Sequence, residues 1–341
     1  MTVLTAPGST AAPPRRPSTS RGLVRAVLLL HRPALYIWAG LFVALGALLL
    51  WLYGPGMDAA AEAWRQYDHC TTANCSYDQD ALLRYKSYSQ YATFAVTFLP
   101  LLVAAWSGAS LVGREMENGT AHLAWTQSIS PARWLAVKLT LPAALITAGT
   151  SVLVALHHQV WARSQGRIDN AKNWSESLTL HANGPTTVAF ALCGLAVGAL
   201  AGLTLRRSLG ALVVATLATG AVRIAVGMAL PYLWPTVRTV SSLKNDGPVG
   251  GGLTLDHGLL TSTGAQLPDP YCGSSRYTAC RHLYDRLDAV SFYSDWHPYS
   301  HYWPLQLVAT GLTLVITALA AFIAFRLLNH RTGTASKEVR Q

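Results

Sequence analysis

Few residue clusters in this 341-residue chain have the spacing that chemistry requires. Of five cysteines, Cys70 and Cys75 share one polar segment and Cys272 and Cys280 share another, while Cys193 sits alone in an apolar run. Close pairs in polar segments fit disulfides Cys70–Cys75 and Cys272–Cys280 on an oxidising face, with free thiols as the alternative. Metal binding is the weakest reading, because C-x4-C and C-x7-C lack a matching second half. His157 and His158 end an apolar run. His257, His282, His297 and His301 lie in a polar stretch with Asp285, Asp288 and Asp295 nearby. A zinc enzyme needs ligands at set spacing, and no H-E-x-x-H occurs, so these read as interfacial and loop histidines. Ser262-Thr263-Gly264 carries no nucleophile signature. No G-x-x-x-x-G-K-[ST] is present to cradle ATP phosphates. The expectation is a chain that is not an enzyme and holds no cofactor or metal.

Two other features remain. Arg223 interrupts an apolar run, about 21 Å beyond the start of its span at the helical rise. An intramembrane cation is a functional candidate, here for a substrate path. Its alternative is snorkelling to the outer interface or structural pairing. The second feature is Gly113–Leu139, GREMENGTAHLAWTQSISPARWLAVKL. Glu115 and Glu117 precede the breaker pair Asn118-Gly119. Thr120 can cap a short helix over Ala121–Gln127, which carries His122, Leu123 and Trp125 and is too short to be stable alone. Ser130 then serves as N-cap and Pro131 as first residue of the next helix, with Arg133 and Lys138 near its end, where they can snorkel.

The elements around these residues are membrane spans. The chain is 51% hydrophobic and 12% charged, about half the charge density of a soluble domain. Runs of about 20 apolar residues occur near 34–53, 91–112, 134–156, 187–205, 209–230 and 302–328. The reading is an all-α membrane protein with six transmembrane helices. Residues 1–20 read as a disordered cytoplasmic tail. Residues 21–33, RGLVRAVLLLHRP, read as an amphipathic interfacial helix with arginines at anionic headgroups, or as a simple extension of the first span. The coupling loop is 113–133 within the spans of 34–230. Residues 231–301 form an extracytoplasmic loop or cap of mixed structure, 302–328 is the sixth span, and 329–341 is a cytoplasmic tail. Gly194, Gly198 and Gly202 line one face of the fourth span, for packing within the subunit or for a dimer seam.

The net charge is +10. With a cytoplasmic N-terminus, the inside segments hold 14 cations against three acids, and the outside loops 11 cations against 13 acids. Lys and Arg collect on cytoplasmic loops, so topology explains the basic charge and nucleic-acid binding loses its support. The same orientation puts both cysteine pairs outside.

The coupling segment resembles the cytoplasmic loop of type-two ABC exporter permeases: an acidic end of a span, Gly-Thr, a short helix, Ser-Pro, Arg and Lys. The matching residues are Glu115, Glu117, Gly119, Thr120, Ser130, Pro131, Arg133 and Lys138. The six-span order and the Arg206–Arg207 hairpin agree. The resemblance implies a permease half driven by a separate ATP-binding subunit, which contacts Glu115, Glu117, Gly119, Thr120, His122, Leu123 and Trp125. It also implies a second permease copy, identical or not. The expected location is a bacterial plasma membrane, with both termini cytoplasmic and membrane lipids as further partners. The competing class is a membrane sensor using the outer cap as a ligand domain.

Overall fold

The computed structural model describes residues 25, 28–29, 31–71, 76–126, 129–168, 171–245, 247–270, 272 and 277–338, with side chains to residue 332. The expected tail 1–20, most of the amphipathic segment 21–33, Cys75 and Gln127 lie outside the described residues. Among the described residues, six helices are long and apolar enough to cross a membrane.

α1 (Arg32–Tyr53) starts with proline in its first turn, where the missing N–H costs nothing. Gly54 ends it and α2 (Pro55–Asp68) follows at once. α3 (Gln79–Trp106) is capped by Asp78, whose carboxylate accepts from the Ala81 amide at 2.9 Å. It gives way to a π-helical segment, Ser107–Gly113, and then to α4 (Arg114–Glu117). π segments are rare and favour functional sites. α5 (Thr120–Thr126) is the short helix of the coupling loop. α6 (Pro131–Ser164) begins at Ser130, whose hydroxyl accepts from the Arg133 amide at 3.4 Å. A short buried helix, α7 (Ser177–Ala182), leads into α8 (Thr186–Leu205) and α9 (Ser208–Ala229). Arg206, in the left-handed region at φ 52°, makes the tight turn between those two. The last helix described is α11 (Tyr302–Glu338).

α8 is the centre of the bundle and packs on α3, α6, α9 and α11. Its small residues make that possible. A Cβ on Gly198 would stand 2.7 Å from the Ser107 Cβ and 2.8 Å from the Gly108 amide nitrogen. Gly194 and Gly202 meet the same helix at Pro100 and Gly113. The small-residue face therefore packs within the subunit. The Ser107 hydroxyl crosses the same seam to the Leu195 carbonyl at 2.8 Å. α1, α6, α9 and α11 leave much more of their apolar surface on the outside of the bundle, as lipid-facing helices do.

Between α9 and α11 lies a separate small layer. Strands β1 (Val237–Ser242), β2 (Leu253–Thr261), β3 (Gln266–Pro268) and β4 (Ala289–His297) form an antiparallel sheet in the order β1-β4-β2-β3. Helix α10 (Tyr277–Arg286) covers it around Leu259, Cys280, Tyr284 and Phe292. The mixed structure expected for this segment is thus a sheet with one covering helix, while the membrane part is helical throughout. Cys272 and Cys280 are disulfide-bonded. Cys70 is also disulfide-bonded. Arg238 on β1 donates to both carboxylate oxygens of Asp295 on β4, at 2.8 and 2.6 Å. That guanidinium holds the Asp295 carboxyl below its usual range. His297 Nε2 lies 2.8 Å from the Pro231 carbonyl oxygen, so the two ends of the insertion meet.

Candidate functional site

The acidic turn, the π segment and the restart of α6 form one joint. Lys138 is buried and forms an ion pair with Glu115. Its ammonium also donates to the Leu111 carbonyl at 2.8 Å and lies 5.2 Å from the centre of the Trp134 ring. The expectation that Lys138 snorkels outward is corrected: a carboxylate and a π-segment carbonyl, both inside the joint, supply the acceptors its charge needs. His31 Nε2 stands 3.8 Å from the Glu115 carboxylate. Burial, and after it the Lys138 charge, hold the imidazole at about 4, so His31 is neutral.

Glu117 points the other way. Its Oε2 accepts from the Ser208 amide at 2.9 Å and the Ser208 hydroxyl at 2.6 Å. A carboxylate from the coupling turn therefore caps the start of α9, where helix amides are unsatisfied and the dipole favours negative charge. Gly119 turns at φ 71°, a conformation glycine adopts at no steric cost. The Thr120 hydroxyl donates to the Glu115 carbonyl at 3.4 Å. Ala121 is buried, and the Trp125 ring meets the Trp134 ring edge-on at 5.7 Å, tying α5 to α6. His122 packs on Trp125 at 4.7 Å. Leu123 is 63% exposed, an apolar side chain presented outward by a helix of seven residues.

Arg223 lies apart from this joint. Its guanidinium reaches sideways from α9 to the Thr97 carbonyl of α3 at 3.2 Å and sits 5.6 Å from the Phe98 ring centre. Near it is a buried polar cluster that has no motif in the sequence. His157 Nε2 meets the Thr93 hydroxyl at 2.9 Å and Nδ1 the Asn183 Oδ1 at 2.5 Å. Gln306 donates to the Leu180 carbonyl at 2.6 Å and accepts from Thr186 at 2.6 Å, and Tyr302 donates to the Asn183 carbonyl at 2.7 Å. These bonds satisfy the backbone of the turn from α7 into α8, which is buried among helices. The signals were single polar residues inside apolar runs, such as Gln306 and Thr93. Among the described residues no group of three His, Cys, Asp or Glu side chains is placed to hold a metal ion. His297 and His301 meet through their Nδ1 atoms, 3.0 Å apart, while the other ring nitrogen of His297 lies against the Pro231 carbonyl.

Six spanning helices, a short helix braced between spans and a tight hairpin define a polytopic membrane protein of the permease type. A family model described as ABC-2 membrane transporter related matches residues 39–230, and the chain belongs to that family. It is a permease subunit of an ABC transporter, and membership implies an ATP-binding partner. The matched region runs from within α1 to the end of α9 and stops before the sheet. No curated protein and no solved structure matches the chain.

Proposed function

We propose that this permease works as half of an exporter, with a second permease copy and two ATP-binding subunits docked on the coupling turn. The observation that carries the reading is the bracing of α5. Glu115 ties its base to Lys138 in α6, and Glu117 ties the same base to Ser208 at the start of α9. The π segment continues directly into that turn from α3. A push on the exposed edge of α5 at His122 and Leu123 thus acts on three spans at once. Charged hydrogen bonds and a buried pair resist stretching far better than a flexible loop would. Closure of the ATP-binding subunits on ATP would move α3, α6 and α9 together and open the bundle toward the sheet end. Arg223, held on α3 by Thr97 and Phe98, is the cation assigned to the substrate path. The turn is taken to face the cytoplasm, on the charge distribution of the loops, and the disulfide-bonded layer the oxidising side of a bacterial plasma membrane.

The test is co-purification with the ATP-binding subunit encoded beside this chain. Glu115→Ala and Glu117→Ala together should cut complex recovery and permease-stimulated ATP hydrolysis at least tenfold, with the membrane part still folded. Undiminished complex and undiminished hydrolysis would remove the assigned role of the turn.

A further inference from the structure

Two cavities adjoin at the hairpin end of the bundle. The larger, about 800 Å³, opens between the start of α1, the π segment and the coupling turn, and its polar wall includes Arg114, Glu115, Asn118, Thr120 and Lys138. The second, about 420 Å³, runs between α1 and α6 and is walled by Leu35, Trp38, Phe42, Leu141, Leu145 and Ile146. His31 and Trp106 line both. The two are therefore consecutive parts of one largely apolar depression, with ionic side chains along one wall of its mouth.

Its charge is graded as well. Lys138 is matched by Glu115, and the His31 ring is neutral. Arg114 is exposed at the mouth with no carboxylate partner among the described residues. One uncompensated guanidinium thus stands at the end of an apolar groove between two spans. We propose that this depression binds one diacyl phospholipid of net negative charge, its phosphodiester on Arg114 and an acyl chain in the groove between α1 and α6. A small soluble anion would leave the groove unfilled, and a neutral hydrocarbon would leave Arg114 unmatched. A phospholipid fits both, because guanidinium pairs with phosphate in a fork and the groove opens along spans where acyl chains lie. The mouth is at the helix ends, the level of headgroups. The headgroup rests on the wall formed by Glu115, Asn118 and Thr120. On the coupling reading above, the lipid is then part of the joint that transmits movement.

Lipid retention is read on the full-length permease without its ATP-binding partner, so this inference and the docking role fail independently. Native mass spectrometry after exchange into vesicles of phosphatidylglycerol and phosphatidylcholine, followed by detergent washing, reports what stays bound. The expected result is one phosphatidylglycerol per chain, held about tenfold more strongly than phosphatidylcholine, whose phosphodiester offers Arg114 the same contact but whose choline cation is repelled by the guanidinium. Arg114→Gln should erase that preference. Ala39→Trp, which fills the groove from a lipid-facing position of α1, should lower retention of both lipids at least tenfold. Equal retention of the two lipids by the wild type, or wild-type retention in both variants, would overturn the proposal.

Discussion

Lys172, in the segment between α6 and α7, carries its ammonium into a partly closed site against α3, donating to the Ser89 carbonyl at 3.1 Å and the Thr93 hydroxyl at 2.7 Å. Burial lowers its pKa from 10.5 to about 8, against a smaller opposing pull from Glu176. The unfolded chain therefore binds this proton more tightly than the folded one. Below about pH 8 both states are charged and the folded state carries the full cost of the buried charge. Between about pH 8 and 10.5 the folded amine is neutral first, so stability rises with pH in that window. Thermal unfolding followed from pH 7.5 to 9.5 should show a rise for the wild type that is reduced in Lys172→Met. Parallel curves would contradict the burial of that charge. At this scale the sequence was partly legible. Glu115, Glu117, Ser130 and Pro131 announced a braced turn through residue type and order. Their partners did not announce themselves: Lys138 lies 23 residues from Glu115 and Ser208 lies 91 from Glu117, and only the packing of α6 and α9 brings them together.

Helices show a different division between what sequence patterns reveal and what they hide. Hydropathy located all six spans but not their ends. The second was expected from about residue 91, whereas α3 starts at Gln79. Its first turns, QDALLRYKSYSQY, are polar on average and project past the apolar layer while keeping their helical hydrogen bonds. The third was expected to end near residue 156 and runs to Ser164. Hydropathy measures contact with lipid, and a helix that leaves the lipid does not stop being a helix. The π segment had no signal at all, since one additional residue per turn leaves composition unchanged. Close packing, by contrast, was written in the glycines of α8. Gly198→Ala forces α8 and α3 apart, because its Cβ would overlap both Ser107 and the Gly108 backbone. The expected loss is about 1–3 kcal/mol, the usual effect of overfilling a packed contact. Gly220→Ala in α9 is the control: its nearest neighbour is the Leu101 side chain at 3.9 Å, and the change should stay within about 0.5 kcal/mol. Denaturation in detergent followed by helical circular dichroism distinguishes the two, and equal effects would mean that the α8 contact is not the constraint.

The whole molecule is a helical bundle with an asymmetric pair of ends, one bearing the Arg206–Arg207 hairpin and the coupling turn, the other the disulfide-bonded sheet. The proposed orientation, which rests on the distribution of Lys and Arg, has the hairpin in the cytoplasm. Thr263→Cys, on the turn between β2 and β3, should then react with a membrane-impermeant maleimide in intact cells. Arg207→Cys should react only after the membrane is opened. The reverse pattern would invert the molecule and withdraw the coupling turn from any cytoplasmic ATPase. The six spans were legible because a bilayer imposes them as simple averages of hydropathy over many residues. The sheet was not legible beyond mixed structure, since its strands are short, their pairing joins β1 to β4 across more than fifty residues, and many of their side chains face water. The clasp of His297 on Pro231 brings the beginning and end of that layer to one point above the bundle. An inserted piece whose two ends touch can be lengthened, trimmed or exchanged without respacing the helices that carry it. The matched family pattern stops at residue 230, just where that clasp begins, so the layer hangs from the bundle at a single closed joint.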